Sequence, residues 1–143
     1  MGARHSGREA ALQMLFQLEA SAEEADEVIR LFWRNFEADP EGRAYADEIV
    51  RGVASRVAEL DEKIGAASQN WRVERMARVD RNVLRLGTWE LAHRADVPRA
   101  VILDEAVELA KTYGTEESSA FVNGVLNRIA ESLGRKDEDR SGS

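Results

Sequence analysis

The chain contains no cysteine, which excludes disulfides, thiolate-bound metals and cysteine nucleophiles and permits a reducing compartment. Only two prolines and ten glycines occur among 143 residues, so collagen-like and Pro-rich low-complexity sequence are excluded and long uninterrupted helices have room to form. The longest unbroken apolar run is four residues, at 100–103. A membrane span needs roughly 20 and a signal-peptide core also needs more than four, so a cytoplasmic protein is expected. Histidine is nearly missing too. His5 and His93 stand far apart, neither in a His-Glu-x-x-His spacing, so no metal site is expected. The glycines form neither a Gly-x-x-x-x-Gly-Lys-Ser/Thr loop nor a Gly-x-Gly-x-x-Gly turn, which removes the usual phosphate cradles. Carboxylate pairs such as Glu23 with Glu24, Asp104 with Glu105 and Glu116 with Glu117 are sequence neighbours. On a helix such neighbours point about 100° apart and make no facing acid–base pair. The reading is therefore a protein with no catalytic residues, no cofactor and no metal.

What is present is apolar and charged: 43% of residues are apolar and 33% charged, which suits one compact soluble domain. The net charge of −7 is unevenly spread. Ten acidic against three basic side chains lie between residues 19 and 48, and this stretch carries the whole excess. The rest is close to neutral, so a local basic face could still meet a polyanion, and RNA is not excluded.

Six segments show helical periodicity and none of useful length alternates at period two. The first, at 7–20, aligns Ala11, Met14, Leu15 and Leu18. Ser21 and Glu24 have capping-box spacing, so a second helix should start there, carrying Ile29, Phe32, Trp33 and Phe36 and stopping before Asp39-Pro40-Glu41-Gly42, a turn by composition. A third runs 43–64 through Tyr45, Ile49, Val53, Val57, Leu60 and Ile64, with Gly65 as terminator. Residues 66–75 allow only a short turn around Trp71. The fourth helix is expected at 76–94 and the fifth at 99–113, ended by a left-handed Gly114. The sixth is capped by Thr115, with Glu116 and Glu117 in its first turn and Val122, Val125, Leu126, Ile129 and Leu133 inward. Residues 136–143, charged or small, should be disordered. Short connections favour an all-α fold of two small three-helix groups.

Three features bear on binding. Arg4 and Arg8 are four residues apart beside His5 in a mobile N-terminal segment, and they either neutralise phosphates or are simply a charged terminus. Arg72, Arg75, Arg78, Arg81 and Arg85 form a stripe fitted to carboxylates, within the chain or on an acidic partner, or to RNA. Phe121 falls at the edge of an apolar face and is either core or a platform for an unpaired base. Gly124, inside a helix, suggests a close backbone approach.

The segments Arg8-Glu9-Ala10-Ala11-Leu12-Gln13, Asp80-Arg81-Asn82-Val83-Leu84-Arg85-Leu86, Val97-Pro98, Asp104-Glu105-Ala106-Val107-Glu108-Leu109-Ala110-Lys111-Thr112-Tyr113-Gly114 and Phe121-Val122-Asn123-Gly124-Val125-Leu126 resemble the bacterial transcription antitermination family NusB. The resemblance runs in order over residues 4–133. It implies two perpendicular three-helix bundles of six to seven helices, forming one RNA-binding domain over 1–135. It implies an adaptor that pairs with NusE, a small-subunit ribosomal protein, binds single-stranded boxA RNA of ribosomal RNA leaders, and helps RNA polymerase, with other Nus factors, resist termination. By the same resemblance Arg4, His5, Arg8, Glu117 and Phe121 face RNA, while Asp80, Arg81, Leu84 and Arg85 face NusE. Two alternatives stand beside it: a helical interaction module or homodimer with no direct RNA role, and a NusB-like RNA-binding subunit of an RNA methyltransferase.

Overall fold

The computed structural model describes residues 2–69 and 71–136. Among these residues all regular structure is helical: α1 (Gly2–Ala20), α2 (Ala25–Asn35), α3 (Pro40–Ala54), α4 (Val57–Ala67), a 3₁₀ turn (Val73–Arg75), α5 (Arg78–His93), α6 (Arg99–Tyr113) and α7 (Ser118–Ser132). The chain divides into two compact units, residues 1–56 and 57–143. The expected disordered tail falls almost wholly outside the described residues.

In the first unit α1 packs along α3, and α2 covers both. Glycine sets the approach: a Cβ on Gly7 would lie 2.7 Å from the Gly42 carbonyl oxygen, and one on Gly42 would lie 2.8 Å from that of Ala3. Any side chain at either position would push the helices apart. Ala11, Leu12, Met14 and Leu15 of α1 are buried, as are Tyr45, Ala46, Ile49, Val50 and Val53 of α3. Trp33 joins α2 to α3 by donating from Nε1 to Asp47 Oδ1 at 2.7 Å.

The boundaries correct several expectations. Ser21 and Glu24 form no capping box: Ser21 Oγ accepts from the Glu23 amide at 3.3 Å, and α2 begins at Ala25 behind Glu24, which makes no side-chain cap. Asp39-Pro40-Glu41-Gly42 is no free-standing turn but the first turn of α3, with Pro40 at the position where its missing N–H costs nothing. The single helix expected at 43–64 is broken at Ser55 and Arg56. There the Ser55 hydroxyl bonds back to the Gly52 carbonyl and the Arg56 amide to that of Val53, tightening the chain out of the α register. Gly65 stays within α4; the left-handed residue past its end is Gln69, at φ 62°.

In the second unit α5 contacts α4, α6 and α7 and is buried nearly all round, Val83, Leu84, Leu86, Trp89 and Leu91 included. Gly87 admits Leu126 of α7, whose Cδ1 would sit 2.8 Å from a Cβ there. Arg99 is 6% exposed and reaches from the start of α6 to Glu131, Asn127 and the Arg135 carbonyl at 2.8–3.0 Å. Arg135 answers with bonds to the Leu91 and Val97 carbonyls. Gly114 is extended, at φ −108° and ψ −156°, so its need for glycine is spatial: a Cβ would meet Ser118 Oγ at 2.5 Å and the Ala110 carbonyl at 2.8 Å. Gly124 meets no backbone, its nearest neighbour being Arg128 Nη1 at 3.7 Å.

Candidate nucleic-acid and partner interface

The close glycine contact between α1 and α3 decides what happens to the N-terminal cations. Residues 2–7 are helical rather than a loose arm, and Tyr45 lies beneath them. The guanidinium carbon of Arg4 stands 4.8 Å from the centre of the Tyr45 ring and that of Arg8 stands 5.3 Å away. Two cations thus share one aromatic ring, each contact contributing about 0.5–2 kcal/mol depending on desolvation. Arg8 is 3% exposed, whereas Arg4 and His5 are half-buried and keep some surface. Arg4 and His5 thus keep surface toward solvent, while Arg8 lies closed beneath it.

In the second unit, residues 71–80 and 115–121 converge on a cleft of about 400 Å³. Phe121, on the first turn of α7, is neither wholly core nor wholly exposed. Its ring meets the Trp71 indole edge to face, with centres 6.2 Å apart and planes at 74°. Trp71 itself is 57% exposed. Glu117, exposed, stands at the mouth immediately before α7, and Arg75 and Asp80 line the wall from the α5 side. Asp80 Oδ1 is shielded from solvent and accepts no hydrogen bond among the described residues. The entry to α7 is held by Ser118, whose Oγ accepts from the Thr115 amide at 3.0 Å; Thr115 does not cap the helix, and Glu116 and Glu117 precede its first turn.

The arginine stripe does not survive as a stripe, because α5 begins only at Arg78 and Arg72 and Arg75 lie on the extended and 3₁₀ segments before it. Arg81 turns back to donate to the Met76 carbonyl at 2.8 Å and the Val73 carbonyl at 3.4 Å, pinning the segment that carries Trp71 and Arg75. Arg85 makes a two-pronged ion pair with Asp61 of α4, both bonds 2.8 Å. Leu84, expected at the NusE-facing side, is fully buried in this chain. Of the four residues expected to face the protein partner, Asp80 reaches the cleft, two pair within the fold and one is core.

Trp71 is the cleft residue that the sequence did not point to, and Arg75, expected in an arginine stripe, stands beside it instead. The available signal was a large aromatic in the one internal stretch without helical period; what it faces came only with folding. His93 Nε2 stands 3.4 Å from Glu59 Oε2. Among the described residues no group of three His, Asp or Glu side chains converges as a metal site, and no helix is long and apolar enough to cross a membrane.

Residues 5–131 match the sequence profile of the NusB family. The transcription antitermination protein NusB of Sorangium cellulosum is 71% identical over 140 residues, covering 98% of this chain and all of that protein. Among solved structures, NusB of T. maritima superposes with a TM-score of 0.82 at 37% identity, over 92% of this chain and 93% of that one. A chain from the complex of the antitermination factors NusB and NusE with double-stranded RNA superposes with a TM-score of 0.82 at 26% identity, over 91% of this chain and 97% of that one.

Proposed function

Because the chain belongs to the NusB family, we propose that it is a transcription antitermination factor that binds boxA-type single-stranded RNA of ribosomal RNA leaders together with NusE, and so helps RNA polymerase resist termination. The observation that carries this reading is the end-to-end likeness to a relative named for antitermination. NusE as partner, and RNA as ligand, follow from the solved complex of related chains. The protein works as a non-enzymatic cytoplasmic adaptor, with residues 1–135 acting as a single RNA-binding domain and other Nus factors reached through the assembly.

The RNA-facing set consists of Arg4 and His5, with Arg8 supporting them, and of Glu117 and Phe121. An exposed indole beside a half-exposed phenyl ring suits unpaired bases, which stack on aromatic faces that a paired duplex cannot reach. The surface around the start of α5, beyond Asp80, serves NusE. Arg81 and Arg85 shape that surface without leaving their partners in the fold.

The test is titration of a labelled boxA RNA with the full chain, with and without NusE, followed by fluorescence anisotropy. Phe121→Ala should weaken binding by about 1–3 kcal/mol, the usual loss for one base–aromatic stack. RNA affinity that is indifferent both to that substitution and to NusE would overturn the adaptor mechanism.

A further inference from the structure

The cleft between the 71–80 segment and the start of α7 has more chemistry than a stacking platform requires. Its volume, about 400 Å³, sits at the small end of the range of about 300–1,000 Å³ typical of small-ligand pockets. Two aromatic rings at 74° supply a face and an edge for a flat ring. The polar groups are unusual for a surface meeting a polyanion, because two carboxylates, Asp80 and Glu117, accompany a single guanidinium, Arg75. Carboxylates repel phosphates, so the backbone of an RNA strand is not what they recognise. Asp80 moreover has a shielded oxygen without a donor, and the exposed Arg75 forms no ion pair among the described residues. Glu117 accepts only a long bond, 3.4 Å, from the Thr115 hydroxyl, so both carboxylates keep acceptor capacity to spare.

Among the RNA bases one edge pattern supplies donors for the carboxylates and acceptors for the guanidinium. Guanine carries two adjacent donors, N1–H and the N2 amino group, which a single carboxylate accepts together, and it carries O6 and N7 as an acceptor pair for arginine. Adenine and cytosine place an acceptor beside their amino group, and uracil flanks its one donor with two acceptors, so each would set a lone pair against a carboxylate.

We propose that this cleft is a guanine-reading slot, in which Trp71 stacks the base, the Asp80 and Glu117 carboxylates accept from its N1–H and N2 amino group, and Arg75 donates to its acceptor edge. The slot rests on the RNA-binding reading and deepens it, because it assigns base selectivity to residues 71–80 as well as to α7.

Fluorescein-labelled ten-nucleotide oligouridylates carrying one central guanine, adenine, cytosine or inosine test it, titrated against the full chain with NusE present. Inosine keeps every guanine group except the N2 amino. The guanine strand should bind about tenfold more tightly than the adenine, cytosine and all-uridine strands, with inosine in between. Asp80→Asn and Glu117→Gln should erase that preference, and Trp71→Ala should lower affinity for the guanine strand by about tenfold. Circular dichroism confirms that each variant is folded. Equal binding of all strands overturns the slot while leaving RNA binding standing, and a guanine preference that survives both carboxylate variants overturns it as well. A Trp71→Ala variant that loses NusE association, measured without RNA, but keeps its RNA affinity gives the cleft to the protein partner and also overturns it. Failure of every strand to bind overturns the slot and the adaptor reading together.

Discussion

Residues of one chemical type have separate fates here, and burial decides among them. Leu84 stands between Arg81 and Arg85 in sequence, yet it is core while they hold ion and carbonyl partners at the edge. Leu84→Ala should therefore act as a cavity mutation, lowering stability by about 2–5 kcal/mol in chemical denaturation. Any effect on NusE binding should scale with the folded fraction. The same contrast separates Arg8 from Arg4, since both reach Tyr45 but only one is closed off from solvent. That arginines recur at these positions was readable in the sequence. Which of them keeps a charge available for a ligand was not, because exposure depends on atoms supplied by other helices. On the surface of α2, the hydrogen bond from Arg30 holds the Glu27 carboxyl below its ordinary value. Its stabilising contribution is complete above the unfolded value of about 4.3 and is lost as pH falls through the lowered folded value. An NMR titration of the Glu27 carboxyl carbon should show the midpoint rise in Arg30→Gln.

At the scale of elements, helix positions were well foreshadowed by apolar period and helix ends poorly. α6 spans the expected residues 99–113, because Pro98 and Gly114 bracket a strongly periodic segment. Ends went differently wherever a side chain had several oxygens or amides within reach. Ser21 bonds to the amide two residues on instead of the one three on, and where Thr115 was expected to cap the helix, Ser118 instead accepts from the Thr115 amide. Ser118→Ala should cost about 1 kcal/mol, measured as a lower denaturation midpoint, by removing the buried hydroxyl that accepts from the Thr115 amide. Close crossings were equally hidden. Gly7 lies in the first helix without any local sign that α3 presses on it, yet Gly7→Ala should destabilise the protein by about 1–3 kcal/mol, since the contact it would crowd is backbone and cannot turn aside. Thermal melts of Gly7→Ala and of Gly2→Ala, where nothing lies within 4 Å but φ is +65°, would separate crowding from backbone strain.

For the whole molecule, a net charge of −7 sets the scale of any RNA affinity. Binding must come from a few local cations against a repulsive mean field, so it should fall steeply as salt rises. If Arg4 meets one phosphate, Arg4→Ala should flatten the plot of log affinity against log salt by about 0.7, while Phe121→Ala should leave its slope unchanged. The sequence alone determined that this is a cysteine-free, all-helical chain whose acidic excess is confined to residues 19–48, and its motifs carried the family likeness. These are local or additive properties, and periodicity needs only neighbours a turn apart. Tertiary structure decided which polar groups meet, setting Trp71 against Phe121 and placing Asp80 and Glu117 on one cleft. Those partners are tens of residues apart, and only the packing of α5 against α7 joins them.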